Sequence, residues 1–386
     1  MGLGLSAGVW LSFARVGPPS WEAARLLQFH GLTQSAGWIG LVVAGMSLRL
    51  VPRLTHQRPP PGWAVALVWA ALAGGLGLRL AGIAGGHTVV SRAGSGLAAL
   101  GDLAVAALLL AALKRAQSRG GWWWAALAGS LGWVLVGAIG AQIAASSGSA
   151  GLVPVAVESR LEWALLLGVG ANFAWAIEAR MVGVLFGRGQ PRPRLLLIPL
   201  LAFNAGLLLH LGVPAAGPLS ALLLGLGMLF LAPTVGALRG RAHRLAAASA
   251  GLGPNLVWAG RMAVLAGGLF SLGGVVGLWG GSDDALLDAG LHATGLGFLT
   301  VLIAGMMALL APILARDRGR LLHPERQRLT LYLLLGAVGF RVLAPLLAAA
   351  GAATPEPLLL AAAGALAWLA MALFALTLIE AARSNP

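Results

Sequence analysis

The sequence has no cysteine and few charged residues. Without cysteine, disulfide bonds, thiolate ligation of haem iron and iron–sulfur clusters are excluded. Only 10% of the 386 residues are charged, whereas 59% are hydrophobic, and the mean hydropathy is +0.87. So few charges exclude a soluble fold and predict a polytopic α-helical membrane protein in contact with lipid. Apolar segments recur to the end of the chain, so the first of them needs no interpretation as a cleavable signal peptide.

The net charge of +14 raises the question of a nucleic-acid partner. The basic residues form short clusters between apolar segments, and no aromatic residues are interleaved with them. In a membrane protein this distribution is typical of the loops on the cytoplasmic side. The sequence therefore predicts no nucleic-acid partner.

About twelve segments have the length of roughly 20 apolar residues that a bilayer requires. The first is short and weak. We predict spans near residues 1–16, 30–53, 62–84, 96–115, 122–144, 161–185, 194–213, 216–237, 257–280, 287–314, 327–349 and 357–381.

The basic clusters also predict the orientation of these spans. With both termini on the cytoplasmic side, the inner loops receive most of the lysines and arginines, and the outer loops receive few bases together with an acidic stretch. We therefore predict a multi-pass protein of the bacterial inner membrane with cytoplasmic termini. The inner clusters are Arg53/Arg58, Lys114/Arg115/Arg119, Arg188/Arg192/Arg194, Arg239/Arg241/Arg244 and Arg316 to Arg328, and the outer acidic residues are Asp283, Asp284 and Asp288.

Spans two, six and ten are related in sequence. Gly168 and Arg180 match Gly37 and Arg49 at a shift of 131, and Ala304-Gly305-Met306 and Pro312 match residues 44–46 and 52 at a shift of 260. A period of four spans that occurs three times predicts three related four-helix units, near residues 1–120, 121–250 and 251–386, within one membrane domain that covers residues 1–386.

Two of the seven histidines lie at similar depth in related spans. His30 and His292 are both near the outer ends of spans that run inward, two and ten. Two neutral imidazoles on facing helices can fill both axial positions of a haem iron, and the pair predicts this role. The alternative is that each histidine caps a helix or bonds a neighbouring carbonyl. His56, His87, His243 and His323 fall in loops, and His210 ends span seven.

Three arginines near the outer ends of spans are candidates for contact with haem propionates. Arg341 lies in span eleven with no acidic residue nearby in sequence, Arg79 lies toward the end of span three, and Arg92 follows in the loop. A charge at such a place either snorkels to the interface or meets an anion. Asp102 in span four and Glu162 in span six are candidates for a proton pathway.

The stretches "FHG" in span two and "HATGLGFLTVLIAGMMALLAPILARDRGR" from His292 resemble the haem–copper oxidase and nitric oxide reductase group, in particular the NnrS-like proteins. "LYLLLGAVGFRVLAPL" and "GALAWLAMALFALTLI" add to the resemblance. It implies an all-α fold like that of oxidase subunit I, with spans in three four-helix arcs, haem and copper as cofactors, and a role in nitric oxide metabolism.

The sequence departs from the oxidase pattern at the metal ligands. Gly290 stands where the family has the histidine of the catalytic haem, while His292 matches the low-spin ligand. Span six has no histidine, and His210 alone cannot build a copper site of several imidazoles. The single tyrosine, Tyr332, lies far from any His-Tyr arrangement. These departures argue against copper, leave His210 as a candidate ligand of a second metal, and predict that the protein is not a proton-pumping oxygen reductase.

The sequence thus predicts one haem b with His30 and His292 as axial ligands, which suits electron transfer, with quinol or a periplasmic redox protein as partner. Nitric oxide handling is implied by the resemblance alone. A non-redox transporter or scaffold subunit is the alternative. Nitric oxide reduction at a site with His210 would require a second metal or an open haem position. Oligomeric state is left open by the sequence.

Overall fold

A computed structural model describes residues 21–116, 123–147, 151–177, 193–213, 216–234, 253–280, 284–314, 324–352 and 356–383. Within these ranges the chain is helical and contains no β-strand. The all-α class predicted from hydropathy is therefore confirmed. The first predicted span, residues 1–16, lies outside the described residues.

We number the helices of the described ranges α1 to α11 in chain order. Three of them change their helical geometry along their length: α1 (Trp21–Leu32, Thr33–Gly40, Leu41–Leu54), α5 (Val155–Trp163, Ala164–Ala171, then 172–177) and α9 (Asp284–His292, Ala293–Thr300, Val301–Leu314). The others are α2 (Gly62–Gly85), α3 (Thr88–Lys114), α4 (Trp123–Ser147), α6 (Pro193–Gly212), α7 (Gly217–Thr234), α8 (Gly253–Gly280), α10 (Pro324–Ala349) and α11 (Glu356–Arg383).

Each of these helices overlaps one predicted span, from the second to the twelfth. Seven are long and apolar enough to cross a membrane, which confirms a multi-pass membrane protein and leaves the count of twelve as a prediction. The seven segments are Ala24–Leu54, Gly62–Gly85, Thr88–Lys114, Trp123–Ser146, Asp288–Ala308, Pro324–Ala349 and Glu356–Glu380.

The middle parts of α1, α5 and α9 are π-helical and share one register. Each is eight residues long, and they begin at residues 33, 164 and 293, which are offsets of 131 and 260 from the first. The fifth residue is glycine in all three: Gly37, Gly168 and Gly297. The same two offsets relate spans two, six and ten in sequence. Long π-helical segments are rare and are associated with functional sites. Three of them in one register therefore relate α1, α5 and α9 to one another in structure as well as in sequence.

The chain divides into two units after Ala174, and each is described by itself. In unit 1, α2 and α3 pack closely through small residues. Gly75 lies against the backbone of Ala98 and Gly94, and Gly82 lies against Ser91. Such small residues let helix backbones approach in a membrane. The turn between α2 and α3 places Gly86 at a φ of 70°, a conformation that glycine adopts without strain.

Unit 2 contains α6 to α11 and is centred on aromatic and aliphatic side chains. The rings of Trp175, Phe203, Phe270 and Phe298 contact one another in a continuous chain, with centroid distances between 4.5 and 6.1 Å. Edge and tilted contacts of this kind add to the stabilisation from burial. The chain of rings links Trp175 to the π-helical segment of α9, which contains Phe298.

Candidate functional site

His292 is the last residue before the π-helical segment of α9, and its ring is held by Asp288. Its Nδ1 lies 2.9 Å from the backbone oxygen of Asp288 and 3.2 Å from the carboxylate Oδ1 of the same residue. Both oxygens only accept hydrogen bonds, so Nδ1 carries the proton and donates to them. In the tautomer with the proton on Nδ1, Nε2 has a free lone pair, and a quarter of the side chain is exposed. This tautomer is the one that a metal ligand requires.

Arg341 completes a chain of three side chains. Its Nη2 donates to Asp288 Oδ2 at 2.5 Å, and this contact joins α10 to α9. The Arg341 side chain is 15% exposed, so the ion pair is partly shielded from solvent. The guanidinium favours the ionised carboxylate, and the carboxylate fixes the histidine ring. We call Arg341, Asp288 and His292 the α9–α10 triad.

His30 is half-buried at the end of the first segment of α1, three residues before its π-helical segment. Its backbone oxygen accepts a hydrogen bond from Thr33 Oγ1 at 2.9 Å. The next residue, Gly31, lies so close to the Glu162 carboxylate that a Cβ at this position would collide with it. Unit 1 therefore places a carboxylate of α5 beside the backbone that carries His30.

The π-helical register gives the two histidines different positions. His30 corresponds to Gly290, and His292 corresponds to Leu32. A difference of two residues is about 3 Å along a helix and about 200° around it. Because His30 belongs to unit 1 and His292 to unit 2, their joint ligation of one haem stays a prediction from the sequence.

Arg79 forms a buried ion pair within unit 1. Its Nη2 lies 2.7 Å from Glu158 Oε2, and the two side chains are 8% and 5% exposed. Glu158 precedes the apolar part of α5 and lies outside the seven apolar segments. Burial raises the pKa of its carboxyl above the usual range, and the Arg79 guanidinium opposes that rise. Nearby in sequence, the Gln28 amide and the Val153 backbone bond each other in both directions, which attaches the start of α5 to α1.

All three arginines predicted to contact propionates bond protein groups. Arg341 pairs with Asp288, Arg79 pairs with Glu158, and Arg92 donates from Nε and Nη2 to the carbonyls of Ala145 and Ser146, both at 2.9 Å. The arginines were predicted to contact propionates because the sequence showed no acidic partner for them. Since Arg341 and Arg79 have carboxylate partners in the chain, that reason no longer holds for them, and the propionate contacts stay a prediction.

The other predicted residues are not brought together. His210 is half-buried in the last turn of α6, and Asp102 lies in the middle of α3. In the described ranges, no group of three or more histidine, cysteine or acidic side chains is arranged to hold a metal ion. His243 and His323 lie outside the described residues, and His56 and His87 are exposed.

Asp288 and Glu158 are the site residues that sequence reasoning missed. Asp288 precedes His292 by four residues, and this spacing places two side chains on the same helix face, so it was a usable signal. The partners of the two arginines were harder to find, because Arg341 lies 53 residues after Asp288 and Glu158 lies 79 residues after Arg79.

No protein-family model and no curated protein matches the chain.

Proposed function

We propose that the protein is a membrane-bound haem protein in which His292 Nε2 is an axial ligand of one haem b. The observation that carries the proposal is the hydrogen bond from His292 Nδ1 to Asp288, which leaves Nε2 available. Histidine ligands of metals nearly always have such a partner on their second ring nitrogen. Haem b suits a chain without cysteine, since c-type attachment uses cysteine side chains.

Each residue of the α9–α10 triad has a separate role in this proposal. His292 would bind the haem iron through Nε2, and Asp288 would hold the orientation of the ring and make Nε2 a better electron donor. Arg341 keeps Asp288 ionised, so the hydrogen bond to His292 remains charge-assisted. A haem bound here supplies one-electron redox chemistry and an iron atom that can bind small ligands.

His30 is our proposed second axial ligand. Two axial histidines produce a low-spin iron that suits electron transfer, with quinol or a periplasmic redox protein as partner. Nitric oxide handling, as in NnrS-like proteins, is proposed on the sequence resemblance, and nitric oxide would compete with one histidine for the iron. We propose no copper site.

We further propose that the chain consists of three related four-helix units with the architecture of haem–copper oxidase subunit I. The common register of the three π-helical segments, with glycine at the fifth position of each, supports this proposal. The sequence also carries the proposed location, the bacterial inner membrane with both termini cytoplasmic.

Haem content of the purified protein tests the proposal. We expect wild type to hold one haem b per chain by pyridine haemochrome assay, and we expect His292→Ala to lose most of it. His87→Ala is a matched control, since His87 is an exposed histidine of a turn in unit 1 and should retain full haem content. Colourless wild-type protein, prepared with ample haem, would contradict the proposal and favour a non-redox transporter or scaffold.

A further inference from the structure

The haem proposal does not use Asp102, a carboxylate in the middle of a membrane-spanning helix. Asp102 lies 14 residues from Thr88 and 12 from Lys114, the two ends of α3. At 1.5 Å per residue it is about 20 Å from each end, near the centre of a bilayer. Charged groups at this depth are costly, and they mark ion or proton pathways in many membrane proteins.

Asp102 is half-buried and is turned away from the most exposed side of α3. Val89 and Leu100, which are 79% and 64% exposed, define the lipid side of α3. Asp102 follows Leu100 by two residues and is therefore rotated from it by about 200°. Its neighbours one turn further along, Val105 and Ala106, are buried, and the preceding Gly101 packs against Leu72 of α2.

The Asp102 carboxylate has no hydrogen-bond or ion-pair partner within the described ranges, although it is only half-buried. A carboxylate in such a position is stable when it binds a proton or a cation. A cation such as Na⁺ requires several oxygen ligands, and among the described residues Asp102 belongs to no group of three or more histidine, cysteine or acidic side chains arranged to hold a metal ion. A proton, in contrast, requires only one carboxylate oxygen.

Ser95 is a second polar side chain of α3 whose polar atom has no partner among the described residues. It precedes Asp102 by seven residues, which is two helical turns, so both side chains lie on the same face of α3. Ser95 is 1% exposed, and its Oγ has no hydrogen-bond partner among the described residues. A buried hydroxyl normally has a partner, and a bridging water is the usual one where the protein supplies none.

We propose that Asp102 is a proton-binding site which exchanges protons with the aqueous phase at the Thr88 end of α3, through water held by the Ser95 hydroxyl. The proton adds to the Asp102 carboxylate to give the neutral carboxylic acid, and it leaves by the same route. Ser95 accepts a hydrogen bond from one water and donates to the next, so the hydroxyl is unchanged after each transfer.

Among the described residues, no other titratable group competes at this depth. Packed against α3 are α2, α4 and the Leu41–Leu54 segment of α1. Helix α4 carries no charged residue. Arg79 bonds Glu158, and Arg92 bonds the Ala145 and Ser146 carbonyls, both toward the Thr88 end. The remaining charged residues of these elements are Arg49 and Arg53 on α1 and Lys114 on α3, all exposed.

Infrared difference spectroscopy of the full chain in lipid tests the proposal. Subtracting Asp102→Asn from wild type should leave one carboxylic acid carbonyl band that disappears as pH rises and shifts in D₂O. Asp102→Glu should retain the band at a changed frequency, which separates loss of the acid from loss of folding. A difference spectrum without a titrating acid band, in a folded Asp102→Asn protein, would overturn the assignment.

The role of Ser95 is tested by the rate of the D₂O shift. We expect Ser95→Ala to exchange the Asp102 proton several-fold more slowly than wild type, with the band itself still present. Ser220→Ala is the matched control, because Ser220 is also 1% exposed but its Oγ donates to the Gly217 carbonyl at 2.8 Å. Equal exchange rates in Ser95→Ala and wild type would show that the proton does not pass Ser95.

Discussion

At the scale of single residues, the function proposed for His292 depends on its partner Asp288. The backbone oxygen of Asp288 fixes the tautomer, and the carboxylate adds charge to the same hydrogen bond. Arg341 then holds the carboxylate from α10. The three side chains can be substituted one at a time, so their roles can be separated.

We expect Asp288→Asn to lower haem affinity by about 10-fold, because the backbone oxygen still orients the ring while the charged acceptor is lost. Haem titration of the purified apoprotein measures the effect. Glu325→Gln is the control, since the Glu325 side chain is 84% exposed and its partner Arg328 is exposed too. An unchanged affinity in Asp288→Asn would separate Asp288 from the haem site.

The Arg79–Glu158 pair makes a stability prediction. Arg79→Met leaves a buried carboxylate without its partner, and we expect a loss of about 3–5 kcal/mol in unfolding free energy. Because the loss comes from the unpaired charge of Glu158, the double variant Arg79→Met/Glu158→Gln should recover much of it. Denaturation in detergent measures both variants.

The control for this prediction is Arg326→Met. Arg326 and Glu380 form an exposed pair, with side chains 38% and 44% exposed, and such pairs contribute about 0–1 kcal/mol. A loss in Arg79→Met no larger than that of Arg326→Met would mean that the buried pair does not stabilise unit 1.

At the scale of helices, the sequence predicted where the helices lie along the chain, but not which of their segments are π-helical. Most span bounds lie within three residues of the helix bounds, because hydropathy and helix length are both set by the bilayer. The largest exceptions are helices α1 and α3, which begin nine and eight residues before the predicted spans. The repeat in sequence also located the three π-helical segments without identifying them as π-helical. That property depends on local hydrogen bonding and on packing against neighbouring helices, and composition does not encode it. The only residue that the three π-helical segments share at one position is the glycine at the fifth position.

Gly168→Ala tests whether that glycine is required for packing. A Cβ at residue 168 would lie 2.5 Å from Cγ of Trp133 on α4, so we expect a loss of about 1–3 kcal/mol in unfolding free energy. Gly132→Ala is the control, because nothing beyond the adjacent residues and backbone of its own helix lies within 4 Å of its Cβ position. Alanine there should stabilise α4 by up to about 1 kcal/mol. Equal effects of the two substitutions would show that the close contact at Gly168 is not needed.

At the scale of the whole molecule, the sequence predicts an orientation that the helices alone do not reveal. Arg58 and His87 are exposed in the turns at opposite ends of α2, which is 24 residues long and apolar enough to cross the membrane. The two turns should therefore lie on opposite sides. Hydropathy could not predict which residues distant in sequence form ion pairs, such as Arg341 and Asp288 in the α9–α10 triad.

The absence of cysteine makes this orientation simple to measure. Single variants Arg58→Cys and His87→Cys carry one thiol each, with no background from the chain. We expect a membrane-impermeant maleimide to label His87→Cys in intact cells and Arg58→Cys only after the cells are broken. Labelling of both in intact cells would contradict α2 as a membrane span.

The most direct test of the central claim, ligation by His292, is chemical rescue. His292→Gly should lose the low-spin haem spectrum, and added imidazole should restore it, because the free ligand can replace the missing side chain at the iron. A structural role for His292 would not be restored by imidazole. We therefore expect recovery of haem and of the low-spin bands in His292→Gly with imidazole, and full haem binding by His292→Gly without imidazole would contradict ligation by His292.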